Sequence, residues 1–311
     1  MAKAELHAIL PNLANIVQQK MNHSLLPDTL QKIITKAHFQ SDETGLQRKL
    51  VNHFTEQVIT SSDLPLAKLR EDQGQVLCAD PCYLHADRDR LILFSDDLDI
   101  SNEEAVQLIA AIQPLLDEFG AKLQRDQQQQ WFISLEKMPE LNFSALADVS
   151  GNSVHGFLPT GDEQQRLNWL RLWNEIQMLL FDLPLNIERE QQGKAPINSL
   201  WFWGQGDLEL NSAAWQCVYG DDVLLNQLAQ HSHIRNKPLS DINNALLTGR
   251  ILYVNDAIDL EGDWSQQLQQ LEQQLSAWWQ LIKWGKITSL TIDIPHFGRY
   301  RMLPLDCWKF W

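Results

Sequence analysis

The chain has 311 residues, of which 44% are hydrophobic and 21% are charged. This composition excludes a disordered chain and leaves room for about two domains. The 25 basic and 40 acidic residues give a net charge of −15, which disfavours nucleic acid and anionic membrane surfaces as partners. No apolar run approaches the roughly 20 residues of a membrane span, so no membrane partner is predicted. The opening MAKAELHAIL lacks a long apolar stretch, and we therefore expect no signal peptide and a cytoplasmic location.

The first 60 residues are predicted to be helical. The first helix is predicted from apolar residues at helical spacing, which are Leu6, Ile9, Leu10, Leu13, Ile16, Val17 and Met21. The segment PDTLQKIITKAHF begins a second helix at Pro27 and Asp28, and Leu46, Leu50, Phe54 and Val58 mark a third. The connectors SSDLP and DQGQ then place a boundary near residues 61–74.

Beyond this boundary the pattern changes to strands and helices. QVLCA, RLILF and WFISL are predicted strands, and QQQQ at 127–130 is a polar turn. Residues 101–119 are predicted to be a helix, because Ser101 and Glu104 form a capping box and Gly120 suits its end. Apolar residues at helical spacing predict a long helix over 163–182.

The C-terminal third repeats this alternation. WQCVY, ILYVND and SLTIDI are predicted strands separated by helical stretches at 221–247 and 263–283, and FGRYRM is predicted to be an edge strand. The sequence therefore predicts an α/β (mixed α+β) protein with a parallel or mixed sheet. We divide it into an N-terminal helical segment (1–72), an α/β module (73–200) and a Trp-rich C-terminal α/β module (201–311).

Two segments carry candidate ligand-binding residues in the first α/β module. In LHADRDRLIL, His85, Arg88 and Arg90 could present cations to an anion; the alternative is a hairpin turn with solvated charges. In the loop DVSGNSVHGFLP, His155 could contact a ligand or transfer a proton; the alternative is an ordinary surface histidine.

The segment LPLNIEREQQGKAPINSLWFWGQGD adds four more candidates. Asn186 and Arg189 share a helical face, Arg189 and Lys194 suit a carboxylate or phosphate, and Asn198 follows them. The alternative is that Asn186 caps a short helix and Arg189 pairs with an acid. GQG is too short for a dinucleotide fingerprint, and NSLWFW is predicted to be a buried strand that leaves through a glycine turn.

We predict neither a metal nor a cofactor. Cys78 and Cys82 lack a second close cysteine or histidine pair, and the histidines of HSH at 231–233 lack a third ligand. The sequence also contains no Gly-x-Ser-x-Gly elbow, Walker loop or His-Glu-x-x-His motif.

Several of these segments occur in the same order in a bacterial family. They are ADPCYLHADRDR, SNEEA, WFISL, LADVSGNSVHG, NEIQMLL and LPLNIEREQQGKAPINSLWFWGQGDL. Over most of residues 76–311 the chain resembles proteins labelled RpfE-type regulatory proteins or cofactor-independent phosphoglycerate mutases. Residues about 76–206 also resemble the inserted substrate-covering domain of archaeal-type phosphoglycerate mutases. Leu183 stands where that domain has a histidine, and His155 alone remains of an expected Asp-Pro-His.

The resemblance implies a fold and a ligand surface more than a reaction. Such mutases use an N-terminal Asp-Gly metal segment, a nucleophilic serine and a late Asp-Glu-x-Gly-His segment, and these motifs are absent from this sequence. We therefore expect a non-catalytic regulatory or interaction protein that holds a small anionic metabolite near Arg88, His155, Arg189 and Lys194. A protein partner could instead dock on the aromatic tail of Trp308, Phe310 and Trp311, although we favour the alternative that this tail folds back into the core. The alternative function is a phosphoglycerate mutase-like enzyme acting on phosphate esters.

Overall fold

A computed structural model of the chain describes residues 3–11, 13–14, 26–96, 98–244, 247–255 and 264–309, excluding the side chains of residues 244, 264 and 265. The strands are β1 (Ala4–Ile9), β2 (His38–Asp42), β3 (Gln75–Asp87), β4 (Arg90–Phe94), β5 (Ala121–Arg125), β6 (Trp131–Leu135), β7 (Leu141–Asn142), β8 (Thr160–Gly161), β9 (Ser199–Trp203), β10 (Cys217–Tyr219), β11 (Arg235–Lys237), β12 (Gly249–Val254), β13 (Ile287–Ile294) and β14 (Phe297–Met302).

The α-helices are α1 (Asp28–Lys36), α2 (Leu46–Phe54), α3 (Ala67–Arg70), α4 (Asn102–Asp117), α5 (Leu146–Val149), α6 (Glu163–Phe181), α7 (Pro184–Gln191), α8 (Val223–His231) and α9 (Trp264–Lys283). Short 3-10 helices span Val154–Gly156, Leu239–Asn244 and Pro304–Trp308. In the part of the chain that is described, no helix is long and apolar enough to cross a membrane.

The chain forms two compact units. The first unit joins Met1–Val58 to Glu209–Trp311, and the second unit is the continuous segment Ile59–Leu208. The segments 1–72, 73–200 and 201–311 divide the chain differently, because both ends of the chain supply strands to one sheet.

That sheet belongs to the first unit and has seven described strands in the order β11-β10-β12-β1-β13-β14-β2. β1 is parallel to both β12 and β13, and β10 is parallel to β11 and β12. β14 is antiparallel to both β13 and β2. The mixed sheet and its flanking helices confirm the predicted α/β fold class.

The predicted first helix is wrong over Ala4–Ile9, which is the strand β1. Ala4, Leu6 and Ala8 are buried on one face of the sheet, which is the period of two that a strand requires. Because Ile9 and Leu10 are apolar as well, the sequence resembles a helical pattern. Pairing with β12 and β13, far away in the sequence, decides the conformation. Ile16, Val17 and Met21, which supported the same prediction, lie outside the described residues.

The prediction of an edge strand at FGRYRM is also wrong. β14 lies between β13 and β2, and β2 forms the edge of the described sheet. The sequence HFQSD of β2 was assigned partly to the preceding helix, so its pairing with β14 was not anticipated.

The two faces of this sheet differ in polarity. One face packs on α1 and α9 through a continuous apolar core that contains Leu6, Leu30, Leu271, Trp278 and Ile292. The opposite face carries polar side chains from several strands and is partly covered by α2.

The second unit contains a five-stranded sheet, in which β4-β3-β6-β5 are neighbours and β9 also pairs with β3. The predicted strands at QVLCA, RLILF, WFISL and NSLWFW are confirmed, as are the long helix α6 and the capping box of α4. Every residue of β9 is buried, and Trp203 donates its indole N–H to Asp80 Oδ2 at 2.6 Å.

The Gly-Gln-Gly turn after β9 surrounds an internal carboxylate. Asp63 Oδ2 accepts hydrogen bonds from the backbone N–H groups of Gly204 and Gln205 at 2.9 Å, and Asp63 Oδ1 accepts from Leu64 N at 2.9 Å. Gly204 has a φ of +88°, a conformation that glycine adopts without steric cost. The turn therefore binds a carboxylate of its own unit.

Candidate functional site

Polar residues alternate along neighbouring strands of the first-unit sheet. His7 on β1 lies opposite Thr291 on β13, which lies opposite Arg301 on β14, and Arg301 lies opposite His38 on β2. Because side chains two residues apart share a face of a strand, these positions and their alternate neighbours form one polar surface.

A cavity of about 380 Å³ lies on this surface. We call it the arginine cavity, and it is lined by Glu5, Leu6, His7, His38, Gln40, Trp215, Arg250, Ser289, Thr291, Arg299 and Arg301. Three arginines face one glutamate in this set, whereas the whole chain has a net charge of −15. The local charge is therefore opposite to that of the protein and favours an anion.

A buried ion-pair network adjoins this cavity. We call it the Lys49 cluster, and it consists of His7, Asp42, Lys49, His53, Asp293 and Arg299. The Lys49 ammonium on α2 lies between Asp42 Oδ2 and Asp293 Oδ1, at 2.6 Å from each. Arg299 Nη2 donates to Asp42 Oδ2 at 2.8 Å, so two cations balance two carboxylates.

The two histidines of the cluster are in ring contact. The ring centroids of His7 and His53 are 4.4 Å apart, and Trp215 lies against both rings. Trp215 also donates its indole N–H to the backbone oxygen of His53 at 2.8 Å. The strand β1 and the last turn of α2 thus place two imidazoles at one edge of the cavity.

Burial controls the protonation of these groups. It lowers the pKa of His53 to about 3, with a further contribution from the neighbouring His7. Burial likewise lowers the pKa of His7, although Asp293 acts in the opposite direction. Burial opposes ionisation of Asp293, but His7 and Lys49 together hold the pKa of this carboxyl below its ordinary value. At neutral pH the cluster therefore has neutral imidazoles and charged carboxylates.

His7, His53 and Asp293 also have the atoms of a metal site, since one ligand atom from each lies within 4.8 Å of the others. Asp293 Oδ2, at 3.4 Å from His7 Nε2, has no hydrogen bond in the described structure. However, Lys49 holds Oδ1 of the same carboxylate, and Arg299 Nε lies 3.8 Å from Oδ2. Two cations beside a single carboxylate oppose the binding of a divalent ion at these residues.

The candidate ligand-binding residues that were predicted from the sequence lie in the second unit. Arg88 is in the β3–β4 turn with a φ of +56°, and Arg90 begins β4; both are exposed. His85 is exposed on β3, where its Nδ1 lies 2.9 Å from the hydroxyl of Tyr83. His155 is exposed in the 3-10 helix Val154–Gly156, and Ser153 before it forms a bridge with Ile92 of β4. The predicted hairpin is confirmed, and these four residues lie on adjoining elements.

Arg189 and Asn186 are buried and fully engaged with other residues of the unit. Arg189 Nη1 donates to Glu104 Oε1 at 2.7 Å, and its other nitrogens donate to the backbone oxygens of Ala195 and Leu98. Asn186 Nδ2 donates to Leu180 O and Ile197 O, at 2.7 and 2.9 Å. The alternative was that Asn186 caps a short helix; the N-cap of α7 is Leu183, and the Asn186 side chain bonds a carbonyl in the last turn of the long helix α6. The pairing of Arg189 with an acid is confirmed.

Lys194 and Asn198 also have internal partners. Lys194 Nζ lies 2.8 Å from Asp99 Oδ2 in an exposed ion pair. The Asn198 side chain bonds the backbone N–H and oxygen of Leu84, at 2.7 and 2.9 Å. The assignment of these residues to a ligand site stays a prediction, and their observed contacts stabilise the fold.

The arginine cavity was missed in the sequence, although a signal was present. Glu5 and His7, Arg299 and Arg301, and His38 and Gln40 are polar pairs separated by one residue, which indicates a polar face on three strands. The strands come from both ends of the chain, so the sequence does not show that these pairs share one surface.

Known proteins are similar in sequence to a short segment of the chain. No protein-family model matches the chain. A probable 2,3-bisphosphoglycerate-independent phosphoglycerate mutase of Geobacter sulfurreducens is 41% identical over 59 residues. The 2,3-bisphosphoglycerate-independent phosphoglycerate mutases of Methanosarcina mazei and Methanosarcina acetivorans are 34% identical over 59 residues and 37% identical over 60. Each match covers 19% of this chain and only 14% of the relative.

Two solved structures align over more of the chain at low identity. A cofactor-independent phosphoglycerate mutase from Thermoplasma acidophilum aligns with 97% of this chain and 90% of its own, at a TM-score of 0.43 and 12% identity. A Pyrococcus horikoshii protein aligns with 96% of this chain and 86% of its own, at a TM-score of 0.48 and 11% identity. By its own sheets and helices the chain is an α/β protein, and a short segment of it has distant similarity to 2,3-bisphosphoglycerate-independent phosphoglycerate mutases.

Proposed function

We propose that this protein is a non-catalytic regulatory or interaction protein that binds a small phosphorylated or carboxylate metabolite in the arginine cavity. The observation that carries the proposal is the concentration of three arginines around a single glutamate on a strongly acidic chain. Guanidinium groups bind carboxylates and phosphates through paired, charge-assisted hydrogen bonds.

The Lys49 cluster supports the non-catalytic part of the proposal. Lys49 is bonded to both of its carboxylates and Arg299 is bonded to Asp42, so cations of the cluster itself balance the charges of the two carboxylates. A regulatory role like that of the RpfE-type proteins and a cytoplasmic location belong to the same proposal. The four unpaired cysteines agree with a reducing compartment.

Ligand-induced thermal stabilisation tests the binding site. The probes are inorganic phosphate and 3-phosphoglycerate, added to the wild type, to a double variant Arg250→Met, Arg301→Met, and to a double variant Arg88→Met, Arg90→Met. A ligand at about 100 times its Kd adds roughly 2.7 kcal/mol of stability. We expect the shift to vanish in the first variant and to persist in the second. The opposite pattern would move the site to the residues that the sequence predicted.

The alternative function is a phosphate-ester enzyme of the mutase type. The 59-residue similarity to phosphoglycerate mutases favours it. An assay of 3-phosphoglycerate conversion with and without Mn²⁺ separates the two functions. Metal-dependent turnover that disappears on chelation would overturn the non-catalytic proposal, even if the arginine cavity binds anions.

A further inference from the structure

Arg250 and Arg301 stand on opposite sides of the cavity. Arg250 is on β12 and Arg301 is on β14, and β1 and β13 separate these two strands. Three strand spacings put the two backbone positions about 14 Å apart across the sheet. The register adds an offset, because Arg250 lies level with Glu5 and Arg301 lies level with His7, two residues further along β1.

These two arginines also differ from Arg299 in their bonding. Arg299 is tied to Asp42, whereas no carboxylate among the described residues lies within 4.0 Å of Arg250 or Arg301. The guanidinium of Arg250 rests over the Trp215 ring, with its carbon 4.8 Å from the ring centroid. This contact restrains Arg250 on its own side of the cavity. The cavity therefore has two cationic poles.

The residues between the poles are not cationic. Ser289 and Thr291 on β13 offer hydroxyl groups, and Glu5 on β1 offers a carboxylate. A third anionic group at the centre of a ligand would be repelled by Glu5, whereas a hydroxyl group could donate to it. The centre of the cavity suits an uncharged, hydroxylated part of a ligand.

We infer that the arginine cavity binds an elongated, hydroxylated dianion whose two anionic groups contact Arg250 and Arg301 separately. The two backbone positions are about three strand spacings apart, so a ligand that contacts both long arginine side chains needs anionic groups separated by roughly 10 Å. A sugar bisphosphate has this chemistry. The inference rests on the proposed function and adds the ligand class to it.

Direct titration of the full-length protein at constant ionic strength tests the inference. The probes are inorganic phosphate, glucose 6-phosphate and fructose 1,6-bisphosphate. We expect the bisphosphate to bind at least tenfold more tightly than the monophosphate. Arg250→Met and Arg301→Met should each remove this advantage, while Glu5→Gln should strengthen binding of the bisphosphate.

Arg235→Met is the matched control, because Arg235 is an exposed strand arginine of the same unit that does not line the cavity. It should leave the tenfold advantage intact. If phosphate, monophosphate and bisphosphate bind equally and the arginine variants weaken all three alike, the two-pole inference is wrong while anion binding stands. If none of the probes binds, this inference and the proposed site both fail.

Discussion

Lys49 shows how one residue organises the first unit. Its side chain is only 3% exposed, and its ammonium is shared by Asp42 from β2 and Asp293 from β13. A buried charge is costly unless its partners remain in place, because water no longer solvates it. Lys49 therefore fixes α2 against two strands that are distant in the sequence.

We expect Lys49→Met to destabilise the protein by about 3–5 kcal/mol, the typical cost of leaving buried charges without their partner. Urea unfolding would measure the loss. Lys32→Met is the control, since Lys32 is exposed on α1 and should change stability by less than about 0.5 kcal/mol. Similar effects of the two substitutions would show that the Lys49 cluster does not add to the free energy of unfolding.

The histidines of the cluster predict a pH dependence with a definite sign. His53 faces His7, Asp293, Lys49 and Arg299, and burial lowers its pKa from 6.5 to about 3. The unfolded chain therefore binds a proton below pH 6.5 that the folded chain does not bind. Stability should fall as the pH drops from about 6.5 toward 4.5, by at most about 1.4 kcal/mol per pH unit for each such histidine.

Unfolding in urea at several pH values between 4.5 and 7.5 checks this expectation. His53→Gln should reduce the dependence to the part that His7 contributes, whereas His155→Gln, at an exposed position, should leave it unchanged. The pH range stays above 4.5 because the pKa values of the Asp42 and Asp293 carboxyls are lowered. Protonation of these carboxyls therefore destabilises the fold only in stronger acid. A flat profile for the wild type would contradict the buried, neutral state of His53.

At the scale of elements, the Gly-Gln-Gly turn has the clearest sequence requirement. A Cβ atom at Gly204 would lie 2.7 Å from Cys78 Sγ and 3.1 Å from Ala67 N, in addition to the strain of its positive φ. The turn must also keep its N–H groups on the Asp63 carboxylate.

Gly204→Ala should therefore cost more stability than the roughly 1 kcal/mol of backbone strain alone, and we expect a loss above about 2 kcal/mol. Gly193→Ala separates the two effects, because Gly193 has a φ of +74° but nothing within 4 Å of an added Cβ. Denaturant melts of both variants give the comparison. Equal losses would show that the close approach to Cys78 relaxes without cost.

Elements with a strong local signal were predicted from the sequence. The capping box of Ser101 and Glu104 begins α4, and the apolar spacing of α6 needs no distant partner to be recognised. β1, β2 and β14 were misassigned because their conformation or sheet position depends on pairing with one another and with β12 and β13. The errors are thus concentrated in strands of the first unit that pair over long distances.

At the scale of the whole molecule, the chain leaves the first unit after Val58 and returns to it at Glu209. The second unit is continuous and carries its own buried strands and helices. The first unit is discontinuous, since β1 from the N-terminal part lies between β12 and β13 from the C-terminal part. A fragment that lacks β1 has lost the centre of its sheet.

We therefore expect the fragment Ile59–Leu208 to unfold cooperatively on heating when it is produced alone. The fragment Glu209–Trp311 should show no cooperative transition, because β12 and β13 then lack their shared partner. Calorimetry or circular dichroism of the two fragments tests this directly. A cooperative transition in the second fragment would mean that its strands pair in another order.

The sequence by itself determined the α/β class, most helices, and the second-unit strands at QVLCA, RLILF, WFISL and NSLWFW, because periodicity, capping and turn chemistry are local. It also identified cations that suit an anion, among them Arg189 and Lys194, but it could not show that both have internal carboxylate partners. Only the tertiary structure decided that β1 is a central strand, that Lys49 lies between Asp42 and Asp293, and that Arg250 and Arg301 share one cavity. The physical reason is that each of these features joins residues from different strands, and the pairing of distant strands creates neighbours that no local pattern contains.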